Sequence, residues 1–174
     1  MSRYHARHLP TPRAPGWLIA LLIALALSGC ASDPGPPRTA RQALYGLGER
    51  AAEATLAAPV WRVPEGERVL LLAPTEVDAA LSIEPEQFGE TLTRALLAVD
   101  AGPQVLDWMP DRATRDVPDN QWLLESRLIA EGPALTLSDR RLLPYRLELA
   151  LRRPGNDEPR WQQTLTGALD ASAL

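Results

Sequence analysis

Apolar residues fall along this chain in three kinds of pattern. Trp17 to Leu27 (WLIALLIALAL) is one unbroken run of 11. Two further stretches repeat apolar residues at helical spacing. Over Thr39 to Ala58, Leu44, Leu47, Ala51, Ala54 and Ala58 form a narrow stripe, with Thr39 at the N-cap, Pro59 as a stop, and Gly46 and Gly48 as weak points. Over Glu84 to Ala101, Phe88, Leu92, Ala95, Leu96 and Val99 fall on one face. Pro85 suits the first helical position there, Glu84 and Glu86 suit the positive end of the dipole, and Gly102-Pro103 ends the element. The third pattern is strand-like. Val69 to Ala73 is continuously apolar, as a strand buried on both faces would be, and Gln104 to Met109 reads as a short strand. Three stretches with strand patterning follow: Gln121 to Glu131, Leu143 to Arg153 and Arg160 to Leu169. Pro154-Gly155-Asn156-Asp157 makes a hairpin turn between the last two. Thr75 to Ile83 and Pro110 to Asn120 read as loops. These elements predict an α/β domain: a small mixed sheet of about four to five strands with helices packed on one face.

The apolar run has a different meaning. It follows a basic, acid-free start (Arg3, Arg7, Arg13) and is too short to span a bilayer, which needs roughly 20 apolar residues. That is the build of a signal peptide. It ends in Leu27-Ser28-Gly29-Cys30, which resembles the lipobox of bacterial lipoproteins. The other reading is an ordinary secretory signal with a chance cysteine. The lipobox resemblance implies cleavage after Gly29, a diacylglycerol on the Cys30 sulfur, and acylation (palmitate) of the new amine. Three acyl chains anchor a protein stably, where one does not. Ala31 and Ser32 follow the cysteine. Neither is the aspartate that retains such proteins at the inner membrane, so the implied address is the periplasmic face of the outer membrane. The expected organisation is a signal peptide over 1–29, lipidated Cys30 and a Pro-rich linker over 30–38, a helix over 39–58 and the α/β domain over 59–170. The linker reaches at most about 30 Å. The helix fits two uses, a tethered docking element or one packed on the domain behind it.

Processing sharpens the chemistry. Removing 29 of 174 residues leaves 145, and with Arg3, Arg7 and Arg13 gone, 15 basic residues face 22 acidic ones, a net charge of −7. Such a domain suits neither nucleic acid nor an anionic lipid surface. The chain has no lysine, its two histidines are His5 and His8, and its single cysteine is Cys30. The mature chain therefore lacks the groups for Ser-His-Asp, Cys-His, Ser-Lys and Schiff-base catalysis, and for imidazole or thiolate metal sites. Phosphate-cradling glycine motifs are absent too. No cofactor and no metal is expected. Carboxylate chemistry survives, with Glu125 as the least ordinary acid, and would suit a glycan hydrolase. The expectation is a protein that is not an enzyme.

The order of lipobox, Pro-rich linker, helix, VLLLAPTEV, EPEQFGETLTRALLAVD, QVLDWM and three strands ending RWQQTLTG resembles the LpoB family. These are outer-membrane lipoprotein activators of penicillin-binding proteins, with a small α/β domain similar to the N-terminal domain of TolB. Val69 to Met109 carries the closest likeness. The resemblance implies a non-enzymatic envelope lipoprotein that regulates a bifunctional peptidoglycan synthase, a class A penicillin-binding protein. The chain departs from the family in its shorter linker and in the eleven polar residues of Pro110 to Asn120, where the family has a further helix. Two other uses fit the same residues: an assembly lipoprotein of a flagellar or Tol-like machine, and the glycan hydrolase. Candidate partner-binding residues are Arg140, Arg141 and Arg146, a basic stripe in an acidic chain with Arg152 and Arg153 at its far end, and Trp61. The arginines equally suit solubility at strand ends. Of Trp61, Trp108, Trp122 and Trp161, only Trp61 falls outside a strand pattern, flanked by Pro59 and Pro64.

Overall fold

A computed structural model of the chain describes residues 40–110 and 117–171. The signal peptide, Leu27, Ser28, Gly29, Cys30 and the linker lie outside the described residues, as does most of the polar loop after Pro110. Helix α1 spans Ala40–Leu56 and α2 spans Pro85–Leu97. The strands are β1 (Val69–Leu72), β2 (Glu76–Val77), β3 (Gln104–Asp107), β4 (Gln121–Ala130), β5 (Leu135–Thr136), β6 (Arg141–Arg152) and β7 (Pro159–Asp170). Among the described residues no helix is long and apolar enough to cross a membrane.

The sheet is mixed. β1 lies between β3 and β4 and runs parallel to both, while β4, β6 and β7 form an antiparallel set. Among the described residues seven strands are present rather than the expected four to five, and the two additions are short. β2 continues β1 along the same edge of β4 after Ala73, Pro74 and Thr75, and β5 continues β4 along β6. The stretch from Thr75 to Ile83, expected as a loop, therefore contains β2 and a 3-10 turn at Ala79–Leu81. Two-residue strands are too short to show a period of two, so their sequences carry no strand signal.

Alternation fixes which face is buried. Tyr145, Leu147, Leu149 and Leu151 of β6 are buried. They stand opposite Ala130, Leu128, Ser126 and Leu124 of β4 and opposite Gly167, Leu165, Gln163 and Trp161 of β7. Both helices cover this face. Leu44, Leu47 and Ala51 of α1 and Phe88, Leu92 and Leu96 of α2 join Leu70, Leu124 and Leu147 in one core. α1 is thus a packed helix. It crosses α2 closely at Gly48, where an added Cβ would come within 2.9 Å of the Thr91 side chain. On β7, Gly167 leaves room for Tyr145, whose hydroxyl lies 2.6 Å from where a Cβ would stand and accepts a hydrogen bond from Arg50.

α2 ends at Leu97, four residues before the expected Ala101. Val99, expected on the buried stripe, is 36% exposed. After Leu96 the stripe has no core left to meet. The Gly102 N–H donates to the Val99 carbonyl, and Ala101 takes φ 54°, turning the chain into β3.

Candidate partner-binding surface

The face of the sheet away from the two helices carries the charges, although Leu123 on that face is buried. Arg127 Nε donates to Glu76 Oε2 at 2.7 Å, and Arg152 Nε to Glu125 Oε1 at 2.8 Å. The hydrogen bond that Arg127 donates to Glu76, and then the charge of Glu76, hold the guanidinium above its ordinary pKa. Glu125, the acid singled out in the sequence, is therefore tied as the acceptor of a cross-strand ion pair. Arg146 is held more loosely: its Nε lies 3.5 Å from Glu148 and 4.0 Å from Glu131, and that buried nitrogen has no aligned hydrogen-bond acceptor. Ion pairs near solvent such as these are screened and add little to stability. Their larger effect here is to cancel charge across the middle of the face.

At one end of β6 the balance differs. Gly132, at φ 144°, breaks the path of β4, and β5 then pairs with the start of β6. The Leu137 N–H donates to the Arg140 carbonyl at 2.8 Å and closes the hairpin over Ser138 and Asp139. Leu135 and Leu137 are 52% and 48% exposed. Among the described residues Arg140 is paired with its neighbour Asp139, at 3.1 Å. Arg141 is exposed. Pairing of Thr136 with Arg141 and of Leu135 with Leu142 sets the faces. Arg140 and Arg146 share the uncovered face, roughly 20 Å apart along the strand, and Arg141 belongs to the opposite face. Exposed Leu135 and Leu137 beside Arg140, with Arg141 on the other side of the hairpin, give its tip an apolar patch with a cationic rim. The arginines were visible in the sequence. The leucines were not, because a leucine beside a strand reads as core until the hairpin carries it beyond the helices.

Trp61 lies toward the other end of β6. Its ring meets Trp122 edge-on, with centroids 5.9 Å apart and planes at 70°. Its Nε1 donates to the Thr55 carbonyl at 2.9 Å. Arg68 sits 5.0 Å over Trp61, and Arg153 sits 4.3 Å over Trp122. Both guanidiniums are spent on backbone carbonyls: Arg68 on Val63 and Leu56, Arg153 on Pro118, Asp119 and Gln121. This stack joins the end of α1 to the start of β4. The structure does not bring Trp61 together with Arg140 and Arg141, since the length of β6 separates them. A groove of about 760 Å³ runs beside α2 at the ends of β1 and β3, lined by Leu72, Pro74, Leu97 and Trp108, with the Thr75 and Ser126 hydroxyls 3.0 Å apart in its wall. Nothing in the spacing of the sequence signals it, because its walls come from four separate elements.

No family model matches this sequence, and no curated protein matches it. Among solved structures, the chain is similar to the LpoB C-terminal domain from Escherichia coli, at 16% identity and a TM-score of 0.46, over 72% of this chain and 97% of that one. It is similar to the LpoB C-terminal domain from Salmonella enterica at 17% identity and a TM-score of 0.45, with the same coverage of 72% and 97%. It is also similar to the lipoprotein GNA1162 from Neisseria meningitidis, at 13% identity and a TM-score of 0.39, over 60% of this chain and 85% of that one.

Proposed function

We propose that this chain is an envelope lipoprotein, anchored through Cys30 on the periplasmic face of the outer membrane, whose α/β domain binds a protein partner and performs no covalent chemistry. The partner proposed is a bifunctional peptidoglycan synthase, a class A penicillin-binding protein. Docking would shift that enzyme toward its active conformation by binding it more tightly than the inactive one. The lipobox and the LpoB-like order of elements support the address and the class of partner. The observation that carries the binding role is the β5–β6 hairpin, where exposed Leu135 and Leu137 stand beside Arg140 and the exposed Arg141. An apolar patch with a cationic rim suits an acidic protein surface.

The test is a photoreactive residue at position 141 in the full lipidated chain, irradiated in cells, with captured proteins identified by mass spectrometry. Capture of a class A synthase is the expected result. It should fall several-fold when Arg140→Glu and Leu137→Asp are added, both being exposed positions. Capture of another outer-membrane or flagellar protein, with no synthase, would overturn the synthase assignment. A chain that stays with the soluble periplasmic fraction would overturn the anchor.

A further inference from the structure

The two edges of the sheet differ in length and in protection. β3 ends the sheet on one side with four residues. β7 ends it on the other with twelve, and among the described residues it pairs only with β6. Long sheet edges usually carry a lysine, a proline or an inward charge that discourages further pairing. The stretch from Trp161 to Leu169 (WQQTLTGAL) has no charged residue and no proline. A register shift opposite Leu151 and Arg152 places Arg160 at an irregularity, so the regular edge runs over these nine residues and is centred on Leu165. Gln162, Thr164, Thr166 and Ala168 are exposed on the uncovered face.

We infer that β7 is a self-association edge, pairing antiparallel with β7 of a second copy about a two-fold axis at Leu165. Antiparallel pairing about that residue gives the full overlap of the regular edge, and the side chains then match. Thr164 meets Thr166, Gln162 meets Ala168, and Trp161 meets Leu169. Directly opposed threonines and an aromatic against an aliphatic are favourable cross-strand combinations. A shift by two residues loses overlap. The interface is isologous, so it closes as a dimer and leaves no β7 edge for a third copy. The two sheets would join into one, with both hairpins carrying Leu135 and Leu137 free of the contact.

The register makes the test specific. In the full chain, in its own membrane, Gln162→Cys together with Ala168→Cys should give a disulfide-linked dimer on oxidation. Both side chains are exposed, so neither change touches the core. Either cysteine alone should give no more dimer than the parent chain, because like positions lie roughly 20 Å apart across the axis. Adding Thr164→Lys and Thr166→Lys should abolish the double-cysteine dimer by placing four like charges at the centre. Absence of dimer from the double-cysteine chain overturns the inference. So does dimer formed as well by a single cysteine, which would report contact without this register, and so does a crosslink only to a different protein.

Discussion

A methyl group built on Gly46 meets nothing within 4 Å, whereas one on Gly48 comes within 2.9 Å of the Thr91 side chain and 3.1 Å of its carbonyl. The two glycines have the same helical propensity and lie two positions apart on α1. Gly46→Ala should therefore stabilise the domain by about 0.5–1 kcal/mol, the usual gain for removing a mid-helix glycine. Gly48→Ala should destabilise it by about 1–3 kcal/mol, because α2 must move away or Thr91 must leave its rotamer. Urea melts of both variants check the pair; equal shifts in the same direction would mean that the helices do not cross at Gly48. From sequence, both glycines read only as weak points. Which of them faces another helix depends on a crossing between α1 and α2, about forty residues apart in the chain, and one-dimensional spacing does not contain it. The same limit applies to Leu135 and Leu137, whose identity promises burial and whose position denies it.

At the level of elements, legibility followed length. β4, β6 and β7 were readable because ten to twelve residues give several cycles of alternation. The buried stripe of α2 was readable through Leu96, and it failed at Val99, where the core runs out rather than the pattern. β2 and β5 were silent at two residues each. Trp61 shows how an element gives a side chain its role. In the sequence it stood apart as the tryptophan outside a strand pattern, and so as a candidate for partner binding. In the fold it is half-buried, hydrogen-bonded to Thr55 and wedged between Arg68 and Trp122. Trp61→Ala should cost about 2–3 kcal/mol, somewhat under the loss for a fully buried tryptophan, through lost packing at the end of α1. A ligand platform would behave otherwise: binding to glycan would fall while the thermal midpoint stayed in place. Thermal melts of the variant, beside pull-down on isolated peptidoglycan, separate the two.

For the whole molecule, the question is where the folding unit begins. The sheet has one apolar face, and two helices are all that cover it among the described residues. α2 lies toward β3, and α1 lies on β6 and β7. Leu44 and Leu47 of α1 are 1% and 0% exposed, and Ala51 and Ala52 lie buried with them. At roughly 1.5–3 kcal/mol for each fully buried leucine, the pair alone contributes about 3–6 kcal/mol. A domain of this size has a net stability of about 5–15 kcal/mol. Removing α1 also uncovers Tyr145, Leu147 and the inner side of β7, so the loss exceeds the leucines themselves. A fragment beginning at Pro59 should therefore lack a cooperative melt and bind an apolar dye, while one beginning at Arg38 should melt in a single transition. Leu47→Asp in the longer fragment tests the same point without truncation, since it puts an unpaired charge where Leu47 is fully enclosed. If the Pro59 fragment instead melted cooperatively at the midpoint of the longer one, α1 would be an accessory on the tether, free to dock elsewhere. With α1 as part of the core, any tether ends where α1 begins. On the proposed anchoring through Cys30, the short reach expected of the linker would then apply to the whole domain, and a proposed partner would have to come within that distance of the membrane to meet the hairpin.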